Sequence, residues 1–435
     1  MFGYHLELAL RSFRRSPGLT ALMVLSIGVG VALAMSTWTL VHLMARDPVP
    51  GQSARLYFPT LDIWGPAARQ DEPGREPPSM LDYSTAAALL ADHRARRQAA
   101  VYWLTPTVVP STPGQHPFNA SAFAVSSEFF AMLQVPFAYG GAWSAADERA
   151  RAQQVVISQA LNDQLFGGGD SVGRTVGVGG RDYRVVGVLG DWNPQPTYYH
   201  VPAFGGFMLQ PTGLFLPFDT AVAAQLPVEG NLQCATSPAE SGFAGLLHSS
   251  CAWIGYLAEL DTPAAAQRYR DYLAEFAGQR FDWRANVRLR DLRAWLDYQQ
   301  VVPDGIRILR YVGAGLLLVC LVDTIGLLLA KFLHRSNEIG VRRALGASRS
   351  TLYAQFLVEG AMVGLAGGVA GIVLTWLGMR WLRARFPQGW EALTQLDAGV
   401  LALTLLVAVA ATLLAALYPA WRAARVNPAW QVKTN

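Results

Sequence analysis

Residues 311–333 read YVGAGLLLVCLVDTIGLLLAKFL, and this long apolar run decides the class of fold. A membrane-spanning helix needs about 20 largely apolar residues, and the run with its flank covers residues 306–333. Three further runs meet the same requirement, and they cover residues 18–44, 351–378 and 396–420. The sequence therefore predicts four membrane-spanning helices.

The overall composition agrees with a membrane protein that also has a sizeable polar part. Charged residues make up 15% of the 435 residues, whereas average soluble domains contain about 25%. The net charge is +4, but the chain has only two lysines, and many of its arginines stand at the ends of apolar runs. This distribution is typical of the flanks of membrane helices, so no nucleic-acid partner is expected.

The direction of the spans follows from lysine and arginine, which concentrate in cytoplasmic loops. One side of the predicted bundle carries Arg11, Arg14, Arg15, Lys331, Arg335, Arg342, Arg343, Arg349, Arg422, Arg425 and Lys433. This bias places residues 1–17 and the tail of residues 421–435 in the cytoplasm, with residues 47–303 outside the inner membrane. The first span is too long for a signal-peptide core of about 7–15 residues, so we expect it to be retained.

Residues 47–303 are numerous enough to form a domain with its own core. Within them, QVVISQALNDQLFG is typical of a strand followed by a helix, and RDYRVVGVLGD is typical of a strand. Thr262 followed by Pro263 predicts the start of another helix. The predicted fold is therefore four transmembrane α-helices plus a large α+β extracytoplasmic domain, of more than one lobe, between spans one and two.

The three cysteines divide between the two predicted regions. Cys320 lies within a span and is interpreted as a small buried apolar residue. Cys234 and Cys251 both fall in the outer region, where an oxidising compartment and an even count favour a disulfide. The alternative is a pair of unbonded buried thiols.

Several kinds of catalytic site are not indicated. A nucleotide-binding P-loop needs a lysine after its second glycine, and neither Lys331 nor Lys433 has that context. The histidines form no familiar metal-binding spacing, so no metal site is predicted. GDSVG around Ser171 matches a nucleophile elbow in letters, but a helix-like piece precedes it and a strand-like piece follows, which is the reverse of the required order. We therefore interpret Ser171 as a turn residue and expect no enzymatic activity from this chain alone.

Two carboxylates lie inside predicted spans. Asp323 would be costly if it faced lipid, so a polar contact within the bundle or across a dimer is favoured. The alternative is a position near a helix end or a local bond with Thr324. Glu359 in the third span is the other carboxylate well inside a span, and one such residue gives little support for proton transport.

The connection between spans two and three reads RSNEIGVRRALGAS. Glu338 precedes Arg342 by four residues, which is the favourable order for a helical ion pair. Val341 and Leu345 are four residues apart and share a face, and Gly346 is a natural helix stop. The pattern predicts a short helix, within residues 334–350, at the inner surface of the membrane. A positively charged interfacial helix would explain the charge, but a partner's groove also explains the apolar residues.

This connection resembles the cytoplasmic motif of the MacB/FtsX-type ABC transporter permeases, in which it also follows the second of four spans. The ending YPAWRAARVNPAWQV is similar to the family's C-terminal signature, and LELALRSFRRSPGLTALMVLSIGVGVA is similar to its amphipathic N-terminal helix with span one. FAVSSEFFAMLQVPFAYGGAW and QVVISQALNDQLFGGGDSVGRTVGVGG resemble its periplasmic core domain. The resemblance covers nearly the whole chain, although an acid at Asp323 departs from the family's usual Asn.

The resemblance implies a permease that dimerises, with the same or a different chain, on two cytoplasmic ATPase subunits. ATP and Mg²⁺ would bind to those subunits, so no cofactor is expected in this chain. The coupling helix would dock into the ATPase through Glu338, Ile339, Gly340, Arg342, Arg343, Leu345 and Gly346. Outside the membrane, the resemblance implies either export of a cargo or mechanical transmission to a periplasmic adaptor or other partner.

Two further points stay open in the sequence. The aromatic-rich residues 192–218 are either a hydrophobic contact surface or an ordinary packed loop. For the function, the alternatives are a membrane-anchored sensor, an FtsX-like regulator of a cell-envelope enzyme, and an extracytoplasmic enzyme on a membrane anchor. The last of these would need neither three further spans nor the basic helix.

Overall fold

The computed structural model describes residues 11, 13, 15–44, 47–49, 51–66, 76–111, 114–194, 196–200, 211–230, 232–301, 304–335, 341–343, 345–385 and 398–424. The chain forms two compact units. The outer unit is Arg46–Val302, and the membrane unit combines Met1–Ala45 with Pro303–Asn435.

In the described part of the outer unit, twelve strands form one mixed β-sheet. The strands are β1 (Leu56–Leu61), β2 (Arg97–Leu104), β3 (Thr107–Val109), β4 (Phe118–Asn119), β5 (Ala122–Val125), β6 (Phe137–Gly140), β7 (Gln154–Ile157), β8 (Thr175–Val178), β9 (Arg181–Leu189), β10 (Leu214–Pro217), β11 (Gly255–Glu259) and β12 (Val287–Asp291). Their order is β12-β1-β11-β2-β5-β10-β7-β9-β8-β3-β4, and β6 pairs with β9. The pairs β5–β10 and β7–β9 are parallel. The sheet is continuous through the described part of the outer unit, and the division into more than one lobe stays a prediction.

Short helices connect these strands. They are α2 (Tyr83–Asp92), α3 (Phe129–Met132), α4 (Ala145–Arg149), α5 (Gln159–Phe166), α6 (Phe218–Ala223), α7 (Gly242–Leu247), α8 (Pro263–Arg280) and α9 (Leu292–Tyr298). The start of α8 is as predicted, because the Thr262 hydroxyl accepts a hydrogen bond from the Ala265 amide at 3.1 Å and Pro263 occupies the first turn.

Both faces of the sheet are covered by apolar side chains. Successive residues of a strand point to opposite faces, and β2 shows the result. Ala100 and Tyr102 belong to one buried cluster, while Ala99 and Val101 belong to the other. A strand that is buried on both sides has no polar alternation, which explains the nearly continuous apolar sequence of β2.

The strands nearest to the two membrane connections are neighbours in the sheet. β1 pairs with β12 in antiparallel register, from Tyr57 opposite Asp291 to Leu61 opposite Val287. The first and the last strand of the outer unit are therefore held side by side.

A disulfide joins Cys234 to Cys251 in the outer unit. Cys251 is fully buried, and Gln233 and Ala252 form an isolated bridge next to the bonded pair. Cys320 of the membrane unit has a free, buried thiol, in agreement with its interpretation as a packing residue.

The membrane unit contains four long helices among its described residues, α1 (Pro17–Met44), α10 (Asp304–His334), α11 (Arg349–Arg385) and α12 (Ala398–Ala424). The segments long and apolar enough to cross a membrane are Pro17–Thr39, Ile308–His334, Arg349–Trp381 and Leu401–Ala423. The predicted fold class, four transmembrane helices with a large α+β domain between the first and second, is confirmed.

Small residues allow these helices to approach closely. A side chain at Gly364 of α11 would meet the Cα atom of Val409 of α12 at 2.9 Å, and one at Gly360 would meet Ala416 at 2.8 Å. Association of helices in a membrane relies on such close packing rather than on the hydrophobic effect. The glycine-rich sequence of the third span therefore forms the contact with the fourth.

Candidate functional site

The candidate site is the segment between α10 and α11, which carries the sequence RSNEIGVRRALGAS. Residues 341–343 are helical. Glu338, Ile339 and Gly340 lie outside the described residues, so the ion pair between Glu338 and Arg342 stays a prediction.

Gly346 ends the short helix in the conformation that the sequence predicts. Its φ of 97° lies in the left-handed region that favours glycine. The Gly346 amide donates to the Arg343 carbonyl at 3.1 Å, and the Ala347 amide donates to the Arg342 carbonyl at 3.0 Å. This pair of bonds is the Schellman arrangement, which fixes the direction in which the chain enters α11.

Two apolar side chains of this segment are not covered by the rest of the described chain. Leu345 is 83% exposed and Val341 is 59% exposed. They are four residues apart, so they share one face of the turn. A leucine side chain that stays so exposed contributes little free energy to folding. This face is therefore available to a partner.

Arg342 and Arg343 of this segment are both partly buried, and Arg342 also makes a hydrogen bond within the chain. Nη1 of Arg342 donates to the side-chain oxygen of Gln355, in α11, at 3.1 Å. Arg343 is also of intermediate exposure. The Arg342 contact ties the short helix to the first turns of α11, so a displacement of the segment acts on that helix directly.

Glu359 is buried one turn beyond Gln355. Its Oε1 atom lies 2.7 Å from Nζ of Lys331 and 3.8 Å from Nη1 of Arg335, and the side chains of Glu359 and Lys331 are only 2% and 1% exposed. The sequence singled out Glu359 as an intramembrane carboxylate but did not identify its partner.

Lys331 is the functional candidate that the sequence reasoning missed. We counted it among the positive charges of the cytoplasmic loop, whereas the structure buries it within the last turn of α10. A signal was present, because this lysine stands in LLLAKFL, between apolar residues on both sides. A cation at such a position needs a partner, and Glu359 is the nearby carboxylate in the next span.

Asp323 does not make the contact within the bundle that the sequence favoured. Its side chain is exposed on α10 and has no hydrogen bond or ion pair with the described residues. The neighbouring Thr324 hydroxyl is buried and donates to the Cys320 carbonyl at 2.7 Å, so the local alternative is not formed either. Helix rotation explains the difference, because adjacent residues lie about 100° apart around a helix of 3.6 residues per turn. A contact with a second chain stays a prediction.

Ser171 lies in a turn of the outer unit, with α5 before it and β8 after it. This is the helix-then-strand order expected from the sequence, and the residue is 1% exposed. The nucleophile elbow requires an exposed hydroxyl at a strand-to-helix turn, so this serine has neither the context nor the access. Among the described residues, no three His, Cys, Asp or Glu side chains are grouped to hold a metal.

The described part of the aromatic stretch at residues 192–218 is packed in the core. Tyr198, Tyr199 and Phe215 are 0–3% exposed. The rings of Trp192 and Tyr199 are stacked at 5.6 Å, and Tyr199 meets Phe129 edge-on at 5.2 Å. Residues 201–210 lie outside the described residues. For the rest of the stretch, the packed-loop alternative is the one that the structure supports.

His200 gives this packed segment a predicted pH dependence. Burial lowers the pKa of His200 from 6.5 to about 4. Between these two pKa values, the unfolded chain binds a proton that the folded unit does not. The contribution of His200 to the free energy of unfolding is therefore fully present above pH 6.5 and is lost as the pH falls towards 4. At about 1.4 kcal/mol for each pH unit, the loss is about 3 kcal/mol.

This prediction is measured by urea unfolding of the outer unit in the full chain, at pH values above and below that window. His200→Gln is expected to flatten the pH dependence, and His248→Gln, at an exposed position, is the matched control. An unchanged pH dependence in His200→Gln would contradict the assignment.

The outer unit also has a cleft of about 850 Å³ whose lining is largely charged. Nη1 of Arg96 forms an ion pair with Oδ1 of Asp261 at 2.6 Å, and the guanidinium group of Arg94 lies over the ring of Tyr272. Sites for small apolar ligands are lined mainly by apolar side chains. This cleft therefore does not point to an apolar cargo.

Two family models match the chain. The model of the MacB-like periplasmic core domain matches residues 20–268, which is more than half of the chain, and the model of the FtsX-like permease C-terminal region matches residues 311–428. Together they include residues 46–268 of the outer unit, nearly all of the last three spans and the candidate segment.

Individual proteins are similar as well. The macrolide export ATP-binding/permease protein MacB of Escherichia coli strain K12 is 26% identical over 438 residues, with 98% of this chain and 60% of that protein covered. MacB 1/2 of Paracoccus denitrificans is 27% identical over 377 residues, with 85% and 50% covered. The chain thus spans about half to three fifths of these relatives. The periplasmic region of MacB from Actinobacillus actinomycetemcomitans superposes with a TM-score of 0.35 at 15% identity, over 57% of this chain and 94% of that one.

Proposed function

The chain belongs to the MacB/FtsX-type family of permeases, and on that premise we propose that it is the permease subunit of an ABC transporter. In this proposal, a separate ATPase subunit binds ATP and Mg²⁺ and hydrolyses the nucleotide. The permease converts the resulting movement into work on the other side of the membrane. It is not itself an enzyme.

The observation that carries the proposal is the segment between α10 and α11. It presents the exposed Leu345 and Val341 beside Arg342 and Arg343 and is closed by Gly346. Arginine is enriched among the residues that contribute most to binding at interfaces, and an exposed apolar side chain gains free energy when a partner buries it. The apolar side chains would enter a groove on the ATPase, and the arginines would pair with acidic residues at its rim.

The proposed complex also has a direction in the membrane and a set of subunits. The bias of arginine supports a direction in which the candidate segment and both termini lie in the cytoplasm and the outer unit lies beyond the inner membrane. The Cys234–Cys251 disulfide supports this direction, because such bonds persist in oxidising compartments. Two ATPase copies and a second permease chain complete the proposed complex.

The work outside the membrane is either export of a cargo or mechanical transmission to an extracytoplasmic partner. The described part of the aromatic stretch is packed and the cleft is charged, and both observations favour transmission because neither of these described regions offers an apolar surface for cargo. An FtsX-like role, the control of a cell-envelope enzyme, is the second candidate and uses the same transmission.

The test is co-purification of the tagged chain with its ATPase in mild detergent. We expect a stoichiometric ATPase partner, and we expect Leu345→Asp to weaken its binding about 30-fold, since the burial of a leucine side chain is worth about 2 kcal/mol. Leu232→Asp is the matched control, because Leu232 is 48% exposed in the outer unit. Absence of any ATPase partner would refute the proposal and would favour a membrane-anchored sensor.

A further inference from the structure

The membrane unit contains a buried ion pair between Lys331 and Glu359, and further groups contact this pair. Lys331 of α10 and Glu359 of α11 are joined at 2.7 Å. Buried ion pairs are poor stabilisers, because removing both charges from water costs about as much as their attraction returns. Apolar residues of similar size would hold α10 and α11 together at least as well, so stability alone does not account for the pair.

A third helix takes part in this cluster. Nζ of Lys331 donates a hydrogen bond to the hydroxyl of Thr20, in α1, at 3.2 Å. The same hydroxyl donates to the Ser16 carbonyl at 2.9 Å, which fixes it on its own helix. The ammonium also lies 5.1 Å from the centre of the Phe13 ring, within the range of cation–π attraction. One cation therefore connects α1, α10 and α11.

Apolar side chains surround the pair. Phe332 and Phe356 are in ring contact at 4.3 Å, and both are almost fully buried, as are Met23 and Leu328. Water is kept from the pair by this layer, and a charge–charge contact in such surroundings is much stronger than in water. The connection is consequently short and stiff.

The cluster is adjacent to the candidate segment at both of its ends. Arg335, which begins the segment, is within 3.8 Å of Glu359. On the other side, Arg342 is bonded to Gln355, one turn before Glu359 in α11. A displacement of the segment therefore reaches Lys331 and Glu359 within one helical turn.

We propose that Lys331, held by Glu359, transmits displacement of the segment between α10 and α11 to α1 through Thr20. This inference rests on the proposed function, because the displacement comes from the ATPase. Lys331 and Thr20 are positioning residues: they do not touch nucleotide, and binding of the ATPase does not depend on them. What depends on them is the response of α1.

The experiment follows that response at the far end of α1. Trp38 is 48% exposed, and it lies 18 residues after Thr20, about 27 Å along the helix. Trp38→Cys is introduced into the full chain with Cys320→Ala, and the complex with its ATPase is placed in nanodiscs. Maleimide labelling is then compared without nucleotide and with ATP plus vanadate. When Lys331, Glu359 and Thr20 are unchanged, we expect the rate of labelling at position 38 to differ about fivefold or more between the two conditions, as in typical allosteric coupling.

Thr20→Val removes only the hydroxyl that receives the Lys331 hydrogen bond, and it is expected to abolish most of this difference while ATPase binding is unchanged. Thr412→Val is the matched control, because the buried Thr412 hydroxyl donates to carbonyls of its own helix, at Ala408 and Val409. The double variant Lys331→Met with Glu359→Gln is expected to behave like Thr20→Val, and it leaves no charge at either of the two fully buried positions. Lys331→Arg keeps the cation and is expected to retain the response.

The outcomes separate the two proposals. A full response in Thr20→Val and in the neutral double variant overturns the transmission role alone. An equal loss in Thr412→Val also overturns it, because general packing would then be responsible. No ATPase binding by the unsubstituted chain overturns the proposed function, and this inference falls with it.

Discussion

Charge reversal of Arg342 and Arg343 together is expected to weaken binding of the ATPase by at least about 100-fold, because each like-charge contact at an interface costs several kcal/mol. The two arginines lie between the exposed Val341 and Leu345, in the connection between the second and third spans that the proposed direction places in the cytoplasm. Stimulated ATP hydrolysis should fall in parallel. Both quantities are measured with purified permease and ATPase, by pull-down and by phosphate release.

The matched control is reversal of Arg380 and Arg385, which are exposed near the other end of α11. It changes the net charge by the same amount and should leave binding within the experimental error. Arg342→Gln removes the charge that would pair with the partner but keeps a side-chain N–H that can donate to Gln355. It therefore tests the partner contact separately from the contact inside the chain. If the Arg342→Glu, Arg343→Glu variant binds and turns over normally, the docking assignment of this segment is wrong.

Truncation of Phe129 to alanine is expected to cost the outer unit about 3–5 kcal/mol, the usual loss for a buried phenylalanine. Its ring is fully buried and lies within 6.2 Å of four other aromatic rings, those of Phe130, Trp192, Tyr199 and Phe215. A domain is stable by only about 5–15 kcal/mol, so the variant should be partly unfolded at 37 °C.

This loss is read from urea unfolding of the outer unit in the full chain, followed by tryptophan fluorescence. Tyr139→Ala is the control, since Tyr139 is 40% exposed and surface substitutions change stability by about 0.5 kcal/mol or less. The comparison also tests the packed-loop interpretation of Trp192 and Tyr199. A Phe129→Ala chain as stable as the Tyr139→Ala chain would mean that these rings form a surface instead of a core.

The sequence predicted those features that depend on local pattern. Four long apolar runs gave the spans, and Thr262 with Pro263 gave the start of α8, because both signals lie within one segment of chain. Gly346 was identified as a stop for the same reason, since its left-handed backbone is a local requirement. The turn at Ser171 followed from the order of the elements on its two sides.

Other features depend on how helices are rotated against one another, which no single segment specifies. Asp323 and Thr324 are adjacent in sequence, yet one is exposed and the other is buried. Lys331 and Glu359 are 28 residues apart and meet only when α10 and α11 are packed. The sequence therefore showed the intramembrane carboxylates but not which of them is paired.

The pairing of β1 with β12 holds the first and last strands of the outer unit together, so the unit can be exchanged as a whole. Tyr57 and Asp291 are opposite each other in neighbouring strands, and neighbouring strands lie about 4.8 Å apart. Domains whose ends are this close tolerate insertion into a host chain. The four helices of the membrane unit can therefore accept a different domain at this position, provided that its two ends also meet on adjacent strands.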